Sequence, residues 1–446
     1  METLVVLAFS VCIFFLRFIQ WYFFLGRLLG QKYSAYTDTW WFLIEARKLR
    51  KGNFKLFSKY REERPEWEND YPPMFQYLLA IVPDEYIDCV IRYAVPFLDA
   101  FTASLLFSLT AFITNSLEYG MFGVIVYFSA PMIFQQNFCL CVRPLTILII
   151  SIIYILSRSF SIPSFWGISL LVSIILLLHK FATQVVIFTS VSYLVIGRFD
   201  YMLSVVVGFL MSMLISRGYY LKVLRAHVNR LRSSDLKQFA ESRAKNPLKR
   251  IVALTIYCPW LIFFIISLFS LNWNIFSSLL VYDVAWILTL TVLSVVANFS
   301  ILRVIGEGWR YLGYLVFPMS FYTISTIVYS SIFRLIYWLI ACLGLAISYY
   351  YSQRLLQGHQ KYLVSKKDIG KFKKISTIEG KTVIAYPSEF TYIIAYYGDK
   401  DYATTPEHAD IIVVNKELTE KSLLKTLEEK GYTRKLEEKE WIVLTR

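Results

Sequence analysis

Apolar residues run in long blocks from Leu4 to Tyr351, and a mixed, charged pattern follows to the C terminus. The first block, 4–25, carries only Arg17 as a charge and has no small-residue cleavage site. It reads as a retained span rather than a signal peptide. Ten further blocks fall at about 90–114, 119–136, 144–157, 165–178, 181–197, 199–216, 251–271, 275–298, 311–330 and 333–351. Together they predict about eleven transmembrane helices, although 144–157 and 165–178 are shorter than the ~20 residues a helical span usually needs.

A polar stretch, Gly26 to Asp70, separates the first two spans. Within it Trp40, Trp41, Ile44 and Lys48 recur at helical spacing, which predicts an amphipathic helix at the membrane interface with Asp38 at its start. Tyr71-Pro72-Pro73 then opens a short apolar helix over 73–82, because proline is tolerated in a first turn. After Tyr351 the periodicity changes. Lys381 to Tyr386, Ile411 to Val414 and Trp441 to Thr445 read as strands. Leu418 to Lys430 reads as a helix with Leu423, Leu424 and Leu427 on one face. The chain therefore divides into a membrane domain, 1–355, and a small soluble α/β domain, 356–446. The membrane domain contains a first loop at 26–89 and a basic loop at 217–250.

Composition agrees: 57% of residues are apolar and 17% charged, too few charges to cover so much apolar surface in water. Disordered, nucleic-acid-binding and disulfide-rich secreted classes fit poorly. The net charge is +14, and the window Arg217 to Arg250 holds ten Lys or Arg against Asp235 and Glu241. Such a basic segment beside a bilayer points to phosphate-bearing lipids or substrates. The six cysteines lie in or beside apolar runs without a C-x-x-C pair and read as inert buried thiols. No cofactor motif is present, and with four His a divalent metal site has no support in the sequence.

Numbering the gaps between eleven spans puts the polar features on one side. Asp38, Asp70 to Pro73, Arg143-Pro144, His179-Lys180, the basic loop, Gly306 to Tyr311 and the C-terminal domain all fall in odd gaps. The even gaps, 115–118, 158–164, 198, 272–274 and 331–332, are short turns. Asp38 and Asp70 are the candidate general bases, against the plainer readings of helix cap and solvated acid. Arg143, His179 and Lys180 interrupt apolar sequence, where an ionisable group faces a cavity, a partner or the interface. Arg143 and Lys180 have the chemistry to hold a phosphate, and snorkelling to the interface is the alternative. Glu307 and Arg310 stand three apart and can pair, and Gly306 and Gly308 permit close approach of backbone to a ligand. Asp99 and Asp283 are isolated intramembrane acids, and Asp283 has no basic partner evident in the sequence.

In this order the motifs resemble the GT-C superfamily of integral membrane glycosyltransferases. The resemblance rests on Tyr36-Thr37-Asp38-Thr39-Trp40, on Asp70-Tyr71-Pro72-Pro73, on Arg143-Pro144-Leu145, on Glu307 with Arg310-Tyr311, and on the soluble domain after the last span. It implies transfer of a sugar from a polyprenyl-phosphate carrier to a lipid, glycan or protein acceptor, with inversion, on the extracytoplasmic side of a prokaryotic plasma membrane. Asp38 would be the general base. Arg143, Lys180, Arg303 and Arg310 would hold the lipid phosphate. Tyr71, His179, Glu307 and Tyr311 would contact substrate, and the basic loop would guide the donor. The C-terminal domain has no W-W-D-like signature, which favours a monosaccharide transferase over an oligosaccharyltransferase. The positive-inside rule, applied to the basic loop, places this same face in the cytoplasm. A transporter or flippase of a phosphate-bearing lipid is the alternative function, and a non-catalytic membrane scaffold is a third reading.

Overall fold

The computed structural model describes residues 3–29, 32–35, 38–52, 72–133, 140–159, 161–232, 247–270, 278–299, 308–328, 331–403, 405–438 and 440–445. Each apolar block contains a helix: Thr3–Leu29, Ile87–Thr114, Leu117–Phe128, Arg143–Arg158, Ile162–Leu178, Lys180–Val195, Phe199–Ile215, Trp260–Ser270, Ser278–Val296, Val316–Ile327 and Ser331–Gln360. Among the described residues three helices are long and apolar enough to cross a membrane, or five if two bent pairs each count as one span. The rest are shorter apolar helices, so length and hydropathy do not by themselves return the expected eleven.

Two ion pairs join these helices inside the apolar layer. Arg17 Nε donates to Asp99 Oδ2 at 2.6 Å, and both side chains are fully buried. Trp21 Nε1 and Tyr127 Oη donate to the same carboxylate at 2.6 and 2.7 Å. Asp283 has a basic partner after all. Arg158 reaches its Oδ1 at 3.4 Å, and Tyr154 Oη donates to that oxygen at 2.5 Å. Sequence spacing hides both pairs because their members sit on different helices. Of the cysteines, Cys141 and Cys258 are buried, whereas Cys12, Cys89 and Cys342 are exposed, contrary to the expectation of buried thiols throughout.

The amphipathic helix is Thr39–Lys51, and much of its surface is covered by protein. Eight of its residues are buried, from Thr39 and Trp40 to Leu49. Its apolar side meets the short Met74–Ile81 helix, with Phe42 and Phe75 rings edge-on at 4.9 Å. Another side meets the C-terminal domain. Trp40 packs against Tyr396 and Tyr397 at 5.6 and 5.5 Å. Arg47 and Lys51 pair with Asp399 at 3.2 and 2.9 Å, and Lys48 pairs with Asp401. Those exposed pairs are worth roughly 0–1 kcal/mol each. Burying each large apolar side chain contributes about 1.5–3 kcal/mol, so apolar packing does most of the docking.

The C-terminal domain is a five-stranded mixed sheet. Its strands are β3 (Thr382–Tyr386), β4 (Asp401–Tyr402), β5 (Ile411–Asn415), β6 (Thr433–Glu437) and β7 (Trp441–Thr445), in the order β4-β3-β5-β7-β6. Strands β4, β3 and β5 are parallel, and β5, β7 and β6 are antiparallel. Alternation along the strands splits two cores. Val383, Ala385, Ile411, Val413 and Val443 face the side that is continuous with the membrane domain. Ile384, Ile412, Val414, Ile442 and Leu444 face the Lys421–Glu429 helix through Leu423, Leu424 and Leu427. A second, two-stranded sheet ties the domains: β1 (Tyr33–Ser34) pairs antiparallel with β2 (Leu363–Val364).

Asp99→Ala leaves the Arg17 guanidinium buried without its counter-ion, at a cost of about 3–5 kcal/mol. The expected outcome is a large fall in thermal midpoint in detergent. The double replacement Arg17→Met with Asp99→Leu should recover most of it.

Candidate functional site

Four sequence-predicted residues meet at the ends of four elements. Arg143 opens the Arg143–Arg158 helix, where Pro144 lies in the first turn. His179 ends one helix, Ile162–Leu178, and caps the next, Lys180–Val195, with extended backbone at the break. Arg310 lies in the short Gly308–Arg310 turn. His179 is buried, and Arg143, Lys180 and Arg310 all lie near enough to act on it electrostatically. Burial first, then these three cations, hold its imidazole well below the usual histidine range.

Aromatic rings are interleaved with the cations. The Arg143 guanidinium lies 5.6 Å from the Trp309 ring, and Arg310 lies 5.6 Å from Trp309 and 4.8 Å from Phe181. Lys180 Nζ is 5.9 Å from Phe181. The order is cation, ring, cation, ring, cation. Each ring offers negative charge density to the two cations near it and so eases the like-charge repulsion. Phe181 and Tyr311 meet edge-on at 6.2 Å, and Tyr311 Oη donates to Gln184 Oε1 at 2.6 Å. Tyr314 Oη lies 3.1 Å from both His179 Nδ1 and Thr146 Oγ1. The Ala182 N–H donates to His179 Nδ1 at 3.4 Å.

The glycine reading needs correction. A Cβ on Gly308 would fall 2.0 Å from the Ser294 carbonyl oxygen. Gly308 therefore lets the turn seat against the Ser278–Val296 helix, which is a packing requirement rather than access for a ligand.

Asp38 joins the same region through its neighbour. Thr39 Oγ1 donates to the Leu140 carbonyl at 3.1 Å, three residues before Arg143. Asp38 is exposed and its side chain does not cap the helix it precedes, contrary to the plainer reading of its position. Asp70, Tyr71, Arg303 and Glu307 lie outside the described residues. Phe181, Gln184, Thr146, Trp309 and Tyr314 were not singled out from sequence, although Trp309 stands inside the Gly306–Tyr311 motif. Among the described residues no group of three or more His, Cys, Asp or Glu gathers.

Chemically the arrangement is three cations, two aromatic faces and a neutral imidazole at helix ends, with a carboxylate on an adjoining element. Such a set suits a phosphate monoester or diester.

No family model matches this sequence, and no curated protein does. Among solved structures, ArnT from Cupriavidus metallidurans bound to undecaprenyl phosphate is similar over 99% of this chain and 97% of that one. The TM-score is 0.57 and the sequence identity 10%.

Gly308→Ala should drive the turn off its helix, lowering the thermal midpoint and weakening undecaprenyl-phosphate binding together. The depressed His179 pKa gives a separate test with a defined sign. The unfolded chain takes up this proton near pH 6.5 and the folded chain resists it, so stability present above about pH 6.5 is lost as pH falls below it. The thermal midpoint of the wild-type protein should drop more on acidification than that of His179→Gln. The similarity to ArnT along nearly the whole length of both chains, reached at so low an identity, shows that this chain shares the ArnT fold.

Proposed function

We propose that this chain is an integral membrane glycosyltransferase that moves a sugar from a polyprenyl-phosphate carrier to an acceptor hydroxyl. The observation that carries the reading is the alternating cation and ring series Arg143, Trp309, Arg310, Phe181 and Lys180 around His179. The similar fold of ArnT, whose structure holds undecaprenyl phosphate, supports the same ligand class here.

The acceptor oxygen attacks the anomeric carbon from the side opposite the phosphate, giving inversion. The bond from that carbon to the phosphate oxygen breaks, and the electron pair leaves on the phosphate. Asp38 takes the acceptor proton as general base. Arg143, Lys180 and Arg310 share the charge that develops on the leaving group, the largest electrostatic need of the step. Neutral His179 and Tyr311 position the substrate. Asp70, Tyr71, Arg303 and Glu307 remain proposed members of the site on sequence grounds. The extracytoplasmic placement, the eleven-span topology and the monosaccharide donor belong to this same reading. A flippase draws little support, because Asp99 and Asp283 are held in ion pairs with Arg17 and Arg158.

The test uses the purified full chain and a radiolabelled polyprenyl-phosphate sugar. Asp38→Asn should abolish transfer while undecaprenyl phosphate still binds. Arg143→Gln and Arg310→Gln should each weaken that binding about tenfold or more, the scale of a charge-assisted hydrogen bond. Full activity in Asp38→Asn would remove the base assignment, and unchanged binding in both arginine variants would remove the phosphate site.

A further inference from the structure

Two spans turn sharply as they leave the apolar layer, on either side of the basic 217–250 sequence. The Phe199–Ile215 helix gives way to Tyr219–Arg232 with a 111° bend, and Pro247–Tyr257 meets Trp260–Ser270 at 97°. The sequence explains both corners. Arg217 and Gly218 have positive φ, +50° and +79°, a pair of conformations that ends a helix and redirects the chain. Pro259 supplies no N–H to continue the helix before it. With Phe199–Ile215 and Trp260–Ser270 taken as the arms that enter the apolar layer, the helices bent at about right angles from them run along the membrane plane.

Their surfaces match that placement. In the first, Tyr219, Tyr220, Val223 and Ala226 are buried against the protein, while Leu221 and Val228 are 57% and 43% exposed. In the second, Leu254 is buried, while Leu248, Val252 and Ile256 are 76%, 59% and 39% exposed at helical spacing. Beside these outward apolar rows stand Lys222 and Arg225 on one helix and Lys249 and Arg250 on the other, with no acid in either helix. A helix with one face on protein, one apolar face outward and cations along the edge suits the level where acyl chains meet headgroups.

We propose that these two helices form a docking surface for the anionic headgroups of phospholipids in the surrounding leaflet. Charge complementarity argues for that occupant, since each Lys or Arg near an anionic surface adds a comparable increment of attraction. Both helices also touch the site. Tyr220 lies near Thr183, four residues from His179, and Pro247–Tyr257 packs against the Gly308–Arg310 turn. Headgroups held here are therefore coupled mechanically to the elements that carry Arg310 and His179. The inference concerns lipid binding and stands whether or not glycosyl transfer is the activity.

The experiment places the full chain in nanodiscs of equal parts phosphatidylglycerol and phosphatidylcholine. Native mass spectrometry then measures which lipids remain bound on release. The wild-type protein should retain phosphatidylglycerol in excess, and the excess should shrink as salt is raised. The variant Arg225→Gln/Lys249→Gln/Arg250→Gln should lose it by about fivefold or more. The charge-conserving Arg225→Lys/Arg250→Lys should keep it. Equal retention of the two lipids, an excess indifferent to salt, or a triple variant as selective as wild type would each overturn the proposal. So would retention of polyprenyl phosphate with no phospholipid preference. The wild-type salt series decides the matter even if the triple variant fails to fold.

Discussion

Three like charges near one buried imidazole are expensive, and the rest of the site is arranged around that expense. Arg143, Lys180 and Arg310 come from separate elements, and each lies against an aromatic ring. A protonated His179 would be a fourth positive charge, so it is held neutral. In the proposed reading this concentration of positive charge is what a lipid phosphate meets, and fixed charges are effective where nothing has to reorient as charge develops.

The Thr39–Lys51 helix translates that local arrangement into a relation between domains. Its first residues reach the Leu140 carbonyl beside the cations, and its later turns are clasped by Tyr396, Tyr397, Asp399 and Asp401. The soluble domain thus acts as a splint for the element that presents Asp38. Arg50 extends the brace by donating to the Ala80 and Val82 carbonyls at the end of the Met74–Ile81 helix and to Asp84. Movement of the C-terminal domain would be felt at the carboxylate.

Much of this was readable in the sequence, and what escaped has physical causes. Hydropathy located the apolar helices because lipid demands long apolar faces, and strand alternation located β3, β5 and β7. The gap arithmetic gathered Arg143, His179, Lys180 and Arg310 on one side, and the structure brings those four together. It did not reveal Phe181 or Trp309 between them, since aromatic residues are common in membrane sequence and carry no positional signature. The protein cover over the Thr39–Lys51 helix was not foreseen because Tyr396 and Tyr397, which pack on Trp40, lie far along the chain. Edge strand β6 was missed because Thr433–Glu437 is largely exposed and polar, with no buried alternation to betray it. Asp283 looked unpaired for the same reason that Arg158 looked ordinary: their pairing exists only after helices pack.

The small β1–β2 ladder joins Tyr33, just after the first helix, to Val364, just after the last long one. Closing so long a loop adds little to its entropic cost, since each doubling of length costs only about 0.6 kcal/mol. Its effect is on timing during synthesis. Synthesis runs from the N terminus, so Tyr33 and Ser34 are made long before Leu363 and Val364, and this strand pairing is completed only after the apolar blocks between them have been made.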